Sequence, residues 1–392
     1  MTDLIASWLP ESCAGVAWVA TALIDVALML GFVLVAVAFF VWLERKVSAR
    51  IQDRLGPTRV GGRFGWLQSP ADGIKLLCKE DIIPSAADRI LFRMAPYLSF
   101  CPAFAAFAAI PLADGWVALR LDIAALFVLA IAGMEVFGVI LAGYASGSKY
   151  SLFGAMREAA QVVSYEAPLA LCLVIPVMLA GSMDLTAIAQ AQEGWFTQWF
   201  LFHNPFSFAA FWIFVVCATA NTNRAPFDLP EAESELVAGF MTEYSGFRWA
   251  VFFMAEYTAM LAVCLIASIA FLGGWNGPIP WTGWLGLSYS VHPALGFLGD
   301  FVGFLNLTAK AFVGVMFIMA LRWTLPRLRI DQVMAMCWKY CVPLAAAMLI
   351  GATVWLYLFP GGAIGRFRDP SPLSPAVATT WTALGEGERI SP

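Results

Sequence analysis

Apolar residues in this chain gather in long runs, separated by shorter stretches that carry most of the charge. A helix needs roughly 20 apolar residues to cross a hydrocarbon core. Runs of about that length predict spans over 17–43, 92–113, 121–145, 158–180, 205–221, 247–273, 299–324 and 338–360. The implied fold class is an all-α polytopic membrane protein with about eight transmembrane helices.

One segment has a different rhythm. In "SPADGIKLLCKED", Asp72, Lys75 and Lys79 recur on one helical face, while Ala71, Ile74, Leu77 and Cys78 share another. It is too short and too charged to span. The pattern predicts an amphipathic helix at the cytoplasmic interface or against a soluble partner, punctuated by Pro70 at its start and Pro84 after its end.

Charge then orients the spans. Of 23 Lys and Arg residues, 18 fall in 44–93 or in or at the edges of the third-to-fourth, fifth-to-sixth and seventh-to-eighth connections, whereas 181–204 and 274–298 have none. Basic loops stay in the cytoplasm, which puts both termini outside. Chain length and the lack of a basic presequence point to a bacterial inner membrane, and so to periplasmic termini. Trp8, Trp18 and Trp42 suit interfacial anchors of the first span. The first 16 residues hold no Lys or Arg, and the following apolar run is too long for a signal-peptide core, so a retained span is expected. No linker or internal repeat interrupts 1–360, which reads as a single membrane domain, and the Pro- and Ser-containing 361–392 reads as a flexible tail.

Composition agrees. The chain is 61% hydrophobic and 13% charged, against about 45–50% and about 25% in soluble domains. Its eight cysteines include no Cys-x-x-Cys pair, and His203 and His292 stand far apart. Clustered thiolates or imidazoles are what metal and iron–sulfur sites need. Cys337 and Cys341 share a helix face and read as small buried hydrophobes. No redox centre is expected.

Acids inside the apolar runs carry the candidate chemistry. An ionisable side chain at a span's centre costs about 2.5–3.5 kcal/mol. Asp25, Glu135, Glu158, Glu166, Glu256 and one basic residue, Lys310, lie within or at the edges of spans, so simple pairing does not account for all of them. Glu166 stands two residues before Pro168, which lacks an N–H and frees the carbonyl of Ser164. A carboxylate beside such a defect suits proton transfer through a short water chain, and the alternative is a hydrogen bond to a neighbouring helix. Glu135 has a similar case with less local support. Glu256 has no accompanying backbone defect and reads first as structural, and Asp25 as hydrated from outside.

"RAPFDLPEAESE" concentrates Asp228, Glu231, Glu233 and Glu235 between two spans, with Glu243 two turns on. Asp228, Glu231 and Glu235 share a helical face. Carboxylates about 8 Å apart repel by roughly 2 kcal/mol at an effective dielectric near 20, so such a cluster shares fewer protons than it has sites. A solvated charged loop is the alternative.

Four blocks carry a resemblance: "ERKVSARIQDRLGPTRVGGRFGWLQSPADGIKLLCKED", "SKYSLFGAMREAAQVVSYEAP", "TNRAPFDLPEAESELVAGFMTEYSGFRWAVFFMAEY" and "LRWTLPRLRIDQVMAMCWKY". In this order, from residue 44 to about 340, the chain resembles the quinone-site membrane subunit of respiratory complex I, NADH:quinone oxidoreductase. The resemblance implies a translocase subunit, not catalytic alone, that forms a quinone-tunnel entrance and couples quinone reduction to proton translocation. Quinone is the implied substrate, with no FMN, iron–sulfur cluster or metal on this chain. The implied partners are the peripheral-arm iron–sulfur and quinone-site subunits, antiporter-like and small membrane-arm subunits and the lipid bilayer, with no nucleic acid.

Carried over by position, Glu44, Arg45, Asp72 and Lys75 of the first loop and Arg327 match tunnel positions. Asp228, Glu231, Glu233, Glu235 and Glu243 match the acidic loop beneath the quinone, and Glu135 and Glu166 the carboxylates leading along the membrane arm. The chain departs from the usual pattern at Thr58, Asn221 and Ile330. Two alternatives stand beside this reading: a stand-alone proton-coupled transporter, and the homologous subunit of a membrane-bound hydrogenase-type complex.

Overall fold

The computed structural model describes residues 14–229, 237–279 and 293–359. Trp8, Glu231, Glu233, Glu235 and the tail 361–392 lie outside the described residues. Every regular element among those described is helical.

Nine principal helices follow in chain order: α1 (Ala14–Ile51), α2 (Gln68–Cys78), α3 (Arg89–Ala109), α4 (Ala124–Ala145), α5 (Lys149–Ala180), α6 (Pro205–Asn221), α7 (Gly246–Phe271), α8 (Pro293–Thr324) and α9 (Ile330–Leu358). Seven are long and apolar enough to cross a membrane, and the 17-residue α6 is a shorter apolar helix among them. The chain is a multi-pass all-α membrane protein, and each expected span has its helix. The separate helix α2 coincides with the expected amphipathic segment.

Local signals explain the helix ends. The carboxylate of Asp88 accepts from the amides of Ile90 and Leu91 to start α3. Asn204 accepts from Ser207 N–H before Pro205 opens α6. Gly181, at φ +69°, ends α5 in the left-handed region that glycine adopts without strain.

One end differs from the expectation. Hydropathy predicts that the first span stops at residue 43, with Glu44 and Arg45 in the following loop; instead α1 continues to Ile51. The apolar run ends there, but Glu, Arg, Lys and Ala keep a helix going. Glu44 and Arg45 therefore stand on a rigid helix rather than a loop.

Helix α7 is the most buried of the long helices, and α1 and α9 are the least. Its core side chains Met260, Leu261 and Leu265 pack with Phe214 of α6 and with Ala311 and Val315 of α8. A second core gathers Phe92, Val139, Ala155, Phe240, Tyr244 and Phe252, with Phe92 stacked on Tyr244 at 4.0 Å between ring centroids. The two cores hold α7 and the turn before it, close to where the charged residues meet.

Candidate functional site

Glu44, 6% exposed, is the hub of that meeting. Its carboxylate accepts from the guanidinium of Arg322 on α8 and the hydroxyl of Tyr257 on α7. Arg224, on the turn after α6, lies 3.3 Å away. Arg224 also reaches Glu256 at 3.8 Å and lies over the Tyr257 ring at 4.2 Å. Two carboxylates thus face two guanidinium groups, the balance a buried charge cluster needs. Burial opposes the charge of Arg224, but Tyr257, Glu44 and Glu256 outweigh it and hold the proton more firmly than water does.

A cavity of about 160 Å³ opens on this cluster, lined by Val41, Glu44, Arg45, Ser48, Phe253, Tyr257, Arg322 and Trp323. The first-loop candidates divide around it. Arg45 lines the cavity and donates to Asp72 of α2. Asp72 also accepts from Gln68 at 3.2 Å and lies 3.5 Å from Lys75. Lys75 lines a different, wider cavity of about 510 Å³ with Leu76, Lys79, Tyr244, Ser245, Gly246 and Trp249. The pair Arg45–Asp72 therefore joins α1 to the amphipathic helix, with one cavity on each side.

Arg327, a tunnel candidate, and Asp228, a candidate of the acidic loop, meet directly. Arg327 Nη2 lies 3.2 Å from Asp228 Oδ2, and Asp228 is 3% exposed. The Leu328 N–H donates to the Pro226 carbonyl at 3.0 Å, fastening the stretch of chain after α8 to the same turn. Glu243 is half-buried on the segment leading into α7.

Deeper along α5, the carboxyl of Glu166 points at Gly133 of α4. A Cβ at Gly133 would stand 2.6 Å from Glu166 Oε1, so glycine leaves the room that the carboxyl fills. This oxygen is buried and has no hydrogen-bond partner among the described residues. Glu135, two residues beyond Gly133, faces Ser99 of α3. Glu135 thus stands on α4, and the Glu166 carboxyl packs against the same helix at Gly133.

The carbonyl freed by Pro168 has a protein donor. The thiol of Cys337 donates to Ser164 O at 3.1 Å, from a π-helical turn, Cys337–Cys341, inside α9. Beside it, the Tyr165 hydroxyl donates to Val333 O at 2.9 Å. A protein group therefore satisfies the carbonyl that Pro168 frees, and Cys337 does more there than fill space. Lys310 likewise has a structural task. Its ammonium donates to the carbonyls of Leu272, Gly274 and Asn276 at 2.6, 2.8 and 2.5 Å and lies over the Trp199 ring at 4.5 Å, closing the C-terminus of α7.

Sequence reasoning misses Arg322 and Tyr257 as parts of the cluster, counts Arg224 only for topology and turn packing, and underrates Glu256. The signal available is "EY" at 256–257, a carboxylate and a hydroxyl side by side inside an apolar run.

Comparison with known proteins bears on this arrangement. The sequence model of the family described as NADH dehydrogenase matches residues 24–353. A protein of Chlorobium luteolum, named as the H-type subunit of NADH-quinone oxidoreductase, is 44% identical over 341 residues, covering 86% of this chain and 90% of the relative. The same name belongs to proteins of Chlorobaculum parvum, 45% identical over 82% of this chain and 89% of the relative, and Geobacillus kaustophilus, 45% identical over 83% and 90%.

Proposed function

Because the chain belongs to the NADH dehydrogenase family, as an H-type membrane subunit of NADH-quinone oxidoreductase, we propose that it forms the entrance of the quinone path and couples quinone reduction to proton translocation. The observation that carries this is the Glu44 cluster: a buried, balanced set of charges at the wall of a cavity, braced by three helices and a turn. Its relatives' names supply the quinone.

Electrons reach the quinone from redox groups on partner subunits, and two electrons and two protons convert it to quinol. This chain contributes binding, orientation and proton affinity. Arg45, with Asp72 bracing it, lines the path with Glu44, and Lys75 stands at the outer mouth. Charge changes at the quinone shift the balance among Glu44, Arg224, Glu256 and Arg322, and act on the Asp228–Arg327 pair. Glu231, Glu233, Glu235 and Glu243 belong to the same acidic loop and share its protons. The change passes inward to Glu166 and Glu135 and onward to neighbouring membrane-arm subunits. The unsatisfied oxygen of Glu166 beside Gly133 supports that role.

The basic stretch 44–93 docks the peripheral-arm subunits on the cytoplasmic side, and both termini face the periplasm of a bacterial inner membrane. Residues 1–360 act as one membrane domain, with 361–392 as a tail. The transporter alternative has no support among the named relatives.

Glu44→Gln in the assembled complex tests the quinone role. A charge-assisted hydrogen bond contributes about 1.5–3 kcal/mol, so quinone reduction falls by about tenfold or more while NADH oxidation by an artificial acceptor continues. Unchanged quinone reduction contradicts the reading.

A further inference from the structure

The proton path as described leaves a buried carboxylate of α5 unused. Glu158, at the inner end of α5, is 5% exposed, and its Oε1 accepts from the side-chain amide of Asn223 at 2.7 Å. The oxygen of that amide accepts from Gln161 Nε2 at 3.1 Å. Gln161, one turn further along α5, also donates to the carbonyls of Ala220 and Phe227 at 2.7 and 2.9 Å. Both ends of the Asn223 amide are therefore fixed from α5. Its backbone has φ +50°, a left-handed conformation that asparagine tolerates better than most side chains. The next residue is Arg224, whose guanidinium lies between Glu44 and Glu256.

We propose that Glu158 is a positioning carboxylate of the coupling machinery: through Asn223 it sets the turn that aims Arg224 between Glu44 and Glu256. This rests on the coupling role given to those residues above. An ionised Glu158 makes a charge-assisted bond to Asn223, roughly twice as strong as a neutral one. Loss of its charge relaxes the turn and changes how Arg224 divides between its two acids. Coupling is reciprocal, so a charge arriving beside Glu44 that draws Arg224 also changes how firmly Glu158 holds a proton. The charged groups of the turn against Glu158 are Arg224 and Asp228, held by Glu44, Glu256 and Arg327, and Arg157 adjoins it on α5.

The experiment compares protons translocated per electron in proteoliposomes holding the assembled complex, as wild type, Glu158→Gln, Asn223→Gly, the double variant of these two, and Glu166→Gln. Glu158→Gln keeps an acceptor oxygen and the side-chain volume, so a merely structural role leaves the ratio where it was. Asn223→Gly keeps the left-handed backbone available and removes the link. The ratio is expected to fall in both variants, and to fall no further in the double variant than in either single one. Wild-type ratios in Glu158→Gln and Asn223→Gly, beside a lowered ratio in Glu166→Gln, overturn the inference and leave the coupling reading standing. A wild-type ratio in Glu166→Gln as well removes the coupling reading and this inference with it. If Glu158→Gln does not assemble, Asn223→Gly decides by the same outcomes.

Discussion

Glu44 and Arg322 stand 278 residues apart in the chain and meet as an ion pair near the C-terminal ends of α1 and α8. Arg224 completes the contact from a third element, so one carboxylate ties together the first span, the eighth helix and the turn after α6. The two arginines differ in burial: the side chain of Arg224 is 5% exposed and that of Arg322 is 29% exposed.

That difference predicts an order of stability. Removing one partner of a buried pair costs about 3–5 kcal/mol, and less where water reaches the remaining charge. Arg224→Met therefore lowers the thermal transition of the assembled complex more than Arg322→Met. Equal shifts would argue against a cluster centred on Glu44 and Arg224.

Arg45 and Asp72 make the opposite case. Their side chains are 46% and 21% exposed, and such pairs contribute about 0–1 kcal/mol. Asp72→Asn is expected to leave thermal stability nearly unchanged while raising the KM for quinone and speeding amide exchange in α2. A large loss of stability with an unaltered KM is the contrary result.

Asp228 and Arg327 should behave as one unit. Either single substitution, Asp228→Asn or Arg327→Gln, exposes a charge to an unmatched environment. The double variant restores neutrality and is expected to be less damaged than the sum of the two by about 0.5–3 kcal/mol. Thermal denaturation of all four proteins supplies the cycle, and strict additivity denies the pair its coupling.

Lys310 separates structure from pumping. Lys310→Met leaves three carbonyls at the end of α7 without their donor, at about 1–3 kcal/mol for each one that water does not reach. The complex should melt earlier, while the protons moved per electron by the surviving enzyme stay at the wild-type value. A lowered ratio would assign Lys310 to the proton path after all.

Spans are legible in the sequence because each depends on local composition. Helix α6 shows this best: the apolar run 205–221 predicts a span, and the helix found there is Pro205–Asn221. The end of α1 is not legible in this way, since hydropathy falls at Glu44 while helix propensity does not. The charged hub is harder still. Nothing local says that Glu44 finds Arg322, or that Arg224 finds Glu256, because those pairings depend on how distant helices pack. Ser164 is legible as a freed carbonyl, but Cys337 as its donor is not. Glu231, Glu233 and Glu235 lie outside the described residues, and the proton sharing expected of Glu231 and Glu235 with Asp228 comes from their sequence spacing.

If charge at the cavity drives protonation along α5, Glu166 must carry part of the proton traffic. The number of protons translocated per electron during NADH:quinone turnover in proteoliposomes, compared between wild type and Glu166→Gln, reads this without intermediaries. A lower ratio is expected in the variant while electrons still reach quinone. A ratio equal to wild type, at any turnover rate, contradicts the coupling of the cavity to α5.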